Sequence, residues 1–382
     1  MNVLMLSFDS SLLLEGAVVQ REARRRQLRY LEELRRRIPG SRVWIVVRSA
    51  AGMASQGTVV SDGLELYATP SSTLGFISTA YRQGRQLCRQ HGIDLLTSQS
   101  PFSDGLAAWW LRSRCPAKWI VQLHLSSLDN PYWVKQSPAN HVRAWLGKFL
   151  LRRADAVRVV SESAALWLQA KLNIEPEKIF VIPVGTELVT DAEVVPRQRH
   201  AAPTVLFVGR LIEEKGVPTL LRAFQQVKGK CSDAKLVIVG DGPERASLEE
   251  LASNLEMHDS VQFVGWVPYE QLPEFYQNAE VVVLPSLHES YGRVIAEAMS
   301  FGRAVIATDT EGARDLILDS QTGFIVPVRD ARALASKVGY VLCNPEVAHQ
   351  VGEAARQFIQ RTQDAQALCA AQVDMWLKVA GR

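Results

Sequence analysis

Short apolar runs recur along the whole chain, each separated from the next by a longer stretch with helical spacing. The runs are rich in Val and Ile and apolar at both alternating positions, which is typical of parallel strands covered on both faces. Stretches such as VPTLLRAFQQVKG and RASLEELASNL space their apolar residues as amphipathic helices do. The runs predicted as strands are NVLMLSF, VWIVVRS, LELYATP, DLLTSQS, KWIVQLH, AVRVVSE, IFVIPVG, TVLFVGR, KLVIVGDG, VQFVGWV, EVVVLPS, AVIATD and GFIVP. This alternation indicates βαβ units.

The 382 residues are enough for two domains of ordinary size. The stretch TDAEVVPRQRHAAP is polar, contains two prolines and has no periodicity, so we predict a linker at 191–202. It separates a Rossmann-like domain at 1–190 from a second one at 203–352, and helices are predicted for 353–382. Ligands of such sheets bind outside the carboxyl ends of the strands. We therefore expect two doubly wound α/β domains that face each other across a cleft, with functional residues directly after strands.

Composition places the chain among globular proteins, since 47% of it is hydrophobic and 22% is charged. The five cysteines form no CxxC pair, so we expect reduced thiols in a cytoplasmic protein and neither a disulfide framework nor a zinc site. The opening MNVLMLSF is followed at once by polar residues and is predicted as a strand, not a signal peptide. No run approaches the roughly 18 apolar residues that span a bilayer.

Charge is distributed unevenly along the chain. Residues 1–190 hold 24 Lys/Arg against 15 Asp/Glu, whereas residues 191–382 hold 19 against 25. This asymmetry indicates that the first half faces an anionic partner. No nucleic-acid-binding module is recognisable among the basic residues, so we do not expect nucleic acid to be that partner.

Two glycine-containing turns follow predicted strands of the second half. In FVGRLIEEKG, Gly209 permits a sharp turn, and Arg210 and Lys215 supply the guanidinium and ammonium that suit a diphosphate. Two solvated surface charges are the alternative. In VGDGPE, Asp241 stands between two glycines and either contacts a ligand or only stabilises a tight turn. The GxGxxG fingerprint of nicotinamide dinucleotide sites is missing.

The stretch HESYGRVIAEAM combines a strand end, a loop and a helix start. Glu289 lies in the loop, Gly292 lies near the first turn of the helix, and Glu297 lies inside the helix among apolar residues. The first amides of a helix lack intrahelical partners and attract anions. Carboxylates accept hydrogen bonds from hydroxyl groups, so the two glutamates are suited to hold two sugars on either side of one diphosphate. An unpaired charge at position 297 is costly, which argues against a purely solvated Glu297.

The E-x7-E spacing of Glu289 and Glu297, with Gly292 between them, resembles the signature of retaining glycosyltransferases of family 4, which have the GT-B fold. The GR…KG of 209–216, the GDGP turn and the TEGARDLI segment after AVIAT add to this resemblance, which covers nearly all of 203–330 and is looser over 1–190. These enzymes transfer a sugar from a nucleotide-sugar to an acceptor. The resemblance therefore implies a UDP- or GDP-sugar as donor and no cofactor.

By the same resemblance, Arg210 and Lys215 hold the diphosphate, Glu289 contacts the hydroxyls of the donor sugar, and Glu297 binds the ribose. The implied amide contacts to phosphate or sugar come from Ser290, Tyr291, Gly292, Arg293 and Val294. The segment from Gly265 to Val267 is expected near the base. Gly209 and Asp241 complete the expected donor site in this half.

The family usually has a glycine-rich loop after the first strand and a histidine later in the first domain. Here the loop FDSSLLLEGAVV contains only Gly16, which departs from the Gly-Gly pattern. His124 follows the strand VQLHLSS and by likeness contacts the donor sugar. A hydrogen-bonded structural histidine is the alternative.

Departure of the diphosphate builds negative charge that fixed cations and a helix N-terminus stabilise. The sequence offers no convincing nucleophile, so we prefer a front-face transfer through a short-lived ion pair to a double displacement. No DxD triplet or metal-spaced cluster occurs in the sequence, and we expect catalysis without a metal.

A membrane surface is the anionic partner that the first half favours. The predicted helix 16–40 carries eight arginines beside an apolar stripe, and 132–162 interleaves Trp133, Trp145, Lys148, Arg152 and Arg153. We therefore expect a lipid-linked or polysaccharide acceptor and peripheral attachment at the cytoplasmic face. Two alternatives stay open: a nucleotide-sugar epimerase with the same fold, and a non-catalytic sugar-nucleotide-binding subunit. The last helix is expected to cross back onto the first domain, with Trp376 and Leu377 packed there.

Overall fold

We describe a computed structural model over residues 1–8, 12, 18–49, 57–69, 72–124, 128–185 and 202–382. The chain divides into two compact units, one formed by Met1–Gly185 with Ala365–Arg382 and the other by Thr186–Asp364. Each unit has one sheet covered by helices on both faces. The predicted linker at 191–202 lies outside the described residues except for its last position.

The first unit contains an eight-stranded sheet in the order β3-β4-β2-β1-β5-β6-β7-β8. Its strands are β1 (Asn2–Ser7), β2 (Arg42–Arg48), β3 (Gly57–Ser61), β4 (Leu64–Thr69), β5 (Leu95–Ser98), β6 (Lys118–Leu123), β7 (Ala156–Val159) and β8 (Ile179–Val181). Seven strands are parallel, and β3 alone of the described strands pairs antiparallel, with β4. Its helices are α1 (Val18–Arg37), α2 (Thr73–His91), α3 (Ser103–Arg112), α4 (Pro131–Lys135), α5 (Pro138–Arg153) and α6 (Glu162–Leu172), with α14 (Ala365–Ala380) from the end of the chain.

The second unit contains a parallel six-stranded sheet in the order β11-β10-β9-β12-β13-β14. Its strands are β9 (Thr204–Val208), β10 (Lys235–Val239), β11 (Val261–Gly265), β12 (Val281–Leu284), β13 (Ala304–Thr308) and β14 (Phe324–Val326). Its helices are α7 (Val217–Lys228), α8 (Arg245–Asn254), α9 (Leu272–Asn278), α10 (Arg293–Ser300), α11 (Glu311–Leu316), α12 (Ala331–Cys343) and α13 (Pro345–Thr362). The first strand in sequence lies in the middle, so the winding direction reverses between β9 and β12. This is the doubly wound Rossmann order.

Both sheets are buried on both faces, which confirms the interpretation of the apolar runs. In the second unit, alternate residues of β9 enter two different cores: Val205 and Phe207 pack on one face, and Leu206 and Val208 pack on the other. All thirteen runs predicted as strands form strands, whereas β3 was missed. Its sequence GTVVS is short, but the Asp62-Gly63 pair that follows it is a hairpin signal.

The end of the chain is divided between the two units. Helix α13 begins at Pro345, earlier than the predicted start near residue 353, and belongs to the second unit. Helix α14 belongs to the first unit, where the buried Trp376 ring meets the edge of Tyr30 with centroids 5.6 Å apart.

The prediction of reduced cysteines is wrong for one pair, because Cys88 and Cys115 form a disulfide with their Cα atoms 5.8 Å apart. Helices α2 and α3 pack side by side, which brings Cys88 in the last turn of α2 against Cys115, three residues after the end of α3. A separation of 27 residues in the sequence gives no sign of this contact. The Sγ atoms of Cys231 and Cys343 also lie 3.4 Å apart without a bond between them.

Candidate functional site

The two chemistry-bearing loops of the second unit leave adjacent strands at the same edge of the sheet. Strands β9 and β12 pair in parallel, with Val205 opposite Val281 and Leu206 opposite Val282. The loop 209–216 follows β9, and the loop 285–292 follows β12. The winding direction reverses between these strands, and ligands of doubly wound sheets bind at such a point.

The first loop places Lys215 against Glu289. A 3-10 turn, Glu213–Lys215, ends at Gly216, whose φ of +62° lies in the left-handed region. A Cβ atom on Gly216 would stand 2.1 Å from the carbonyl oxygen of Pro285, so only glycine permits this approach of the two loops. The Leu287 amide also donates to the Glu214 carbonyl at 2.8 Å. The Lys215 ammonium consequently lies 2.5 Å from the Glu289 carboxylate.

The N-terminus of α10 meets the same carboxylate. Gly292 has a φ of +77° and serves as the N-cap of α10, which confirms the predicted helix start. Its amide donates to the Glu289 carboxylate at 3.3 Å. Glu289 therefore accepts from both a lysine and a helix N-terminus, which are the groups that also attract a phosphate.

The loop before α10 is also held by the backbone of Gly312. Gly312, in the predicted TEGARDLI segment, donates its amide to the Glu289 carbonyl at 2.8 Å. A Cβ atom on Gly312 would stand 2.7 Å from the backbone of Tyr291, so the two backbones touch directly. The Tyr291 hydroxyl lies 3.0 Å from the amide oxygen of Gln363. Ser290, Tyr291 and Val294 are each half-buried in this arrangement.

Glu297 is buried at 6% exposure, and its charge is matched by two donors. The Tyr276 hydroxyl donates to one carboxylate oxygen at 2.7 Å, and the Arg293 Nε donates to the other at 2.8 Å. Burial and the neighbouring Glu297 raise the pKa of Tyr276 well above its ordinary value, so this phenol stays protonated as a donor. The Arg293 guanidinium in turn lies over the Tyr269 ring, 5.1 Å from its centroid. The prediction that a lone charge at 297 needs a partner is confirmed.

The predicted phosphate ligand Arg210 stands apart from these contacts. It directly follows Gly209, its side chain is exposed, and no residue within the described ranges pairs with its guanidinium. The strand ends beneath it are tightly fitted, because a Cβ atom on Gly240 would stand 1.9 Å from the Gly209 carbonyl oxygen. Arg210 is therefore a cation on a fixed backbone with its side chain available to a ligand.

Asp241, for which the sequence left a ligand contact and a turn role open, makes contacts within its own turn. Its carboxylate accepts from the Gly242 amide at 2.7 Å and from Arg245 at 3.3 Å, so it stabilises its own turn. Gly265, predicted to lie near a base, accepts from the Gly240 amide at 2.8 Å and has a φ of +87°. Val267 is half-buried beside it.

His124 lies directly after β6 in the first unit. Its Nε2 is 3.3 Å from the amide oxygen of Gln99. Burial, together with the positive charges of Arg158 and Arg26, lowers the pKa of His124 to about 3, although the ring is only half-buried by area. The imidazole is therefore neutral at pH 7. Gly16, the other predicted donor contact of this unit, lies outside the described residues.

Tyr276 is the residue of this site that the sequence analysis missed. It lies on α9 and is 1% exposed, so its hydroxyl needs a buried acceptor. The signal in the sequence was a tyrosine in the apolar helix LPEFYQN, upstream of a buried glutamate. Only the packing of α9 against α10 shows that the two side chains meet.

The described part of the site thus places the Lys215 ammonium and the Gly292 amide at Glu289, and a donor-held carboxylate, Glu297, about one turn into α10. No cluster of three or more His, Cys, Asp or Glu side chains that would hold a metal occurs among the described residues. Among the same residues, no helix is long and apolar enough to cross a bilayer. This arrangement is suited to an anion flanked by hydroxyl groups.

Comparison with known proteins agrees with this geometry. Residues 192–358 match the model of the family described as glycosyl transferases group 1. Residues 22–185 match the glycosyl transferase 4-like domain, and the two matches together span most of the chain. The chain belongs to the group 1 glycosyltransferases.

Individual relatives have low sequence identity to this chain, and each match covers only part of it. An alpha-D-kanosaminyltransferase of Streptomyces kanamyceticus is 30% identical over 245 residues, 61% of this chain and 64% of the relative. A GDP-mannose-dependent alpha-(1-6)-phosphatidylinositol monomannoside mannosyltransferase of Mycolicibacterium smegmatis is 33% identical over 178 residues, 44% of this chain and 47% of the relative. The matches thus span less than two thirds of either relative.

Solved structures show the same architecture over the full length of this glycosyltransferase family member. A sucrose-phosphate synthase from Thermosynechococcus elongatus covers 100% of this chain with 99% of its own, at a TM-score of 0.80 and 23% identity. At this identity the likeness establishes the fold alone. Together with the family matches, it confirms the predicted GT-B fold of two Rossmann-like units.

Proposed function

We propose that this protein is a retaining glycosyltransferase that moves a sugar from a UDP- or GDP-sugar to a lipid-linked or polysaccharide acceptor. The observation that carries the proposal is the meeting of Lys215, Glu289 and the N-terminus of α10 at the switch point of the second sheet. This group combines a cation, a helix dipole and a carboxylate within one small region. A diphosphate esterified to a sugar needs these three kinds of group.

Donor binding then proceeds by exchange of partners. The Lys215 ammonium, now on Glu289, turns to the diphosphate, and Arg210 adds its exposed guanidinium to the same anion. Glu289, freed from Lys215, accepts hydrogen bonds from hydroxyls of the donor sugar. The exchange conserves charge pairing at Lys215, because one anionic partner replaces another.

The ribose is assigned to Glu297. Tyr276 and Arg293 each occupy one oxygen of this carboxylate and fix its plane, while each oxygen retains further lone-pair capacity for a hydroxyl donor. A carboxylate fixed in this way loses little conformational entropy when it binds. The backbone at Gly265 and Val267 is assigned to the base.

The transfer itself is proposed to occur on the face from which the diphosphate departs. Lys215, Arg210 and the α10 amides stabilise the negative charge that the leaving group develops. Neutral His124 is suited to accept a hydrogen bond from a sugar hydroxyl, since protonation at pH 7 is excluded by its lowered pKa. We propose that no metal is required, and activity that survives exhaustive chelation would agree with this.

The acceptor and its location rest on charge and on one relative. The first 190 residues carry the excess of cations, and the mycobacterial relative is named for transfer to a phosphatidylinositol mannoside. We therefore propose an acceptor presented at the cytoplasmic face of a membrane.

The donor site is tested by thermal shift with a panel of nucleoside diphosphates and their sugars. One base should stabilise the wild type, and Lys215→Ala and Arg210→Ala should each weaken its binding about tenfold or more, in keeping with the loss of a charge-assisted hydrogen bond. The matched controls are Lys230→Ala and Arg222→Ala, exposed cations of the same unit outside the site. Equal loss in the controls, or no ligand that stabilises the wild type, would refute the assignment.

Stereochemistry is tested separately. With the donor identified, the anomeric configuration of the transferred sugar is read by NMR of the product. Retention agrees with the proposal, and inversion contradicts it whatever the donor.

A further inference from the structure

Helix α5 exposes an apolar stripe on the face turned away from the core. Its inner face is packed, with Ala144, Leu150 and Leu151 buried. On the outer face Val142 is 64% exposed and Trp145 is 68% exposed, and the partly exposed Phe149 continues the stripe one turn further on. The spacing of three and four residues sets these side chains in one row. Large apolar side chains grouped on a surface indicate a binding face.

One tryptophan of α3 extends this row. Trp109 meets the edge of the Phe149 ring with centroids 5.6 Å apart, and Trp145 stacks on the same ring at 6.2 Å. We call Trp109, Val142, Trp145 and Phe149 the aromatic face.

The charge around the aromatic face is positive. Helix α5 carries four cations and no carboxylate, and the cations are Arg143, Lys148, Arg152 and Arg153. The Arg153 guanidinium lies over Phe149, 5.1 Å from the ring centroid, and Arg152 is exposed beside it. The nearest carboxylates are already paired: Asp129 with Lys148, and Asp155 with Arg112 and Lys118.

Helix α1, the other basic amphipathic helix, shows no comparable face over residues 23–37, where its side chains are described. Its apolar residues Tyr30, Leu31 and Leu34 are buried in the core that α14 completes through Trp376. Some of its arginines are also paired, Arg37 with Glu33 and Asp374 and Arg35 with Asp62. Leu31 and Leu34 of the α1 stripe are therefore occupied by the core of this unit, and they do not carry the proposal made below.

We propose that the aromatic face docks on the headgroup region of an anionic lipid bilayer. Tryptophan rings concentrate at the membrane interface, where the apolar ring and the polar N–H are both satisfied, and arginines beside them pair with lipid phosphates. The proposal deepens the proposed function, because it rests on the membrane-presented acceptor named there. It assigns the contact to the α3–α5 surface of the first unit.

The test is co-sedimentation of the full chain with vesicles at low salt. Vesicles of phosphatidylglycerol with phosphatidylcholine should bind the wild type, and vesicles of phosphatidylcholine alone should bind it much less. Trp145→Ala should lower the partition coefficient about tenfold, since it removes a large exposed ring. Arg153→Gln should lower it about fivefold.

Matched controls come from α2 of the same unit. Leu74→Ala removes an apolar side chain that is 81% exposed, and Arg82→Gln removes an exposed cation. Neither should change partitioning. The midpoint of thermal unfolding of each variant verifies that the fold is kept.

Three outcomes overturn the proposal. The first is that the wild type does not co-sediment with anionic vesicles at low salt. The second is binding that Trp145→Ala leaves unchanged. The third is a wild-type dimer by light scattering that Trp145→Ala dissociates, which would make a second copy of the chain the occupant. Vesicle binding needs no donor, so its failure leaves the nucleotide experiment of the proposed function standing, and the reverse also holds.

Discussion

Removal of the Tyr276 hydroxyl tests whether the carboxylate of Glu297 is held as the structure shows. Tyr276→Phe keeps the ring and deletes the donor that lies 2.7 Å from Glu297. Both side chains are buried, so water does not replace the lost bond, and the buried carboxylate loses a short hydrogen bond. A hydrogen bond to a charged group contributes about 1.5–3 kcal/mol. We expect the free energy of unfolding to fall by about 2 kcal/mol and the melting midpoint of the second unit by about 4–8 °C.

The assay is urea unfolding of the full chain, with Tyr340→Phe as the matched control. Tyr340 is 47% exposed, and its hydroxyl has no partner in the part of the chain that the structure describes. Its substitution should change stability by less than about 0.5 kcal/mol. Similar losses for both variants would refute the reasoning.

A double-mutant cycle with Glu297→Gln isolates the pair. If the hydroxyl acts through the carboxylate, Tyr276→Phe should cost clearly less in the Glu297→Gln background. Additive losses would show that the tyrosine acts by packing alone. In the binding assay, Tyr276→Phe should lower the affinity for a ribonucleoside diphosphate and leave the affinity for its 2′,3′-dideoxy analogue unchanged, because only the ribonucleotide offers hydroxyls to Glu297.

Three further predictions concern backbone fit and pH. Gly240→Ala should destabilise the second unit by about 2–5 kcal/mol in urea unfolding, because its Cβ atom would lie 1.9 Å from the Gly209 carbonyl oxygen at a φ of +132°. In helix α12, a Cβ atom on Gly339 would have no neighbour within 4 Å, so Gly339→Ala should instead stabilise the second unit by up to about 1 kcal/mol. If both substitutions changed stability in the same direction, the reasoning from backbone fit would be contradicted. The folded pKa of His124 is about 3, below the ordinary 6.5, so its contribution to stability is present above pH 6.5 and is lost as the pH falls towards 3. In His124→Gln, the midpoint of urea unfolding should therefore fall less steeply between pH 6.5 and pH 3 than in the wild type. Burial raises the pKa of Asp104 from 3.8 to about 7, so its contribution to stability is present below pH 3.8 and is lost as the pH rises through 7. Asp104→Asn should remove this loss from the dependence of the urea midpoint on pH. An unchanged pH dependence would contradict the assignment.

The fold was largely predictable because buried parallel strands leave a strong local pattern. The runs LVIV at 236–239 and VVVL at 281–284 are apolar throughout, and Gly240 directly follows the first of them. The strand β3 lacks this pattern, since it lies at the sheet edge and pairs on one side only. The predicted positions of functional loops after strands followed from the same topology.

The site was predictable only at the level of separate motifs. The sequence indicates that Lys215 and Glu289 each follow a strand, but the contact between them depends on Gly216 fitting against Pro285. The role of Tyr276 depends on how α9 packs against α10, and the Cys88–Cys115 disulfide depends on how α2 packs against α3. Side-chain partners that are distant in the sequence are set by packing, and composition and spacing do not encode packing directly.

The division of the chain end between the two units has a consequence for synthesis on the ribosome. The second unit is continuous from Thr186 to Asp364, whereas the first unit lacks α14 until residues 365–380 have been made. Until then the side of its core that includes Tyr30 and Leu34 has no Trp376 to cover it. The unit that is translated first is therefore completed last, and a nascent chain exposes this apolar surface while the whole second unit is being made.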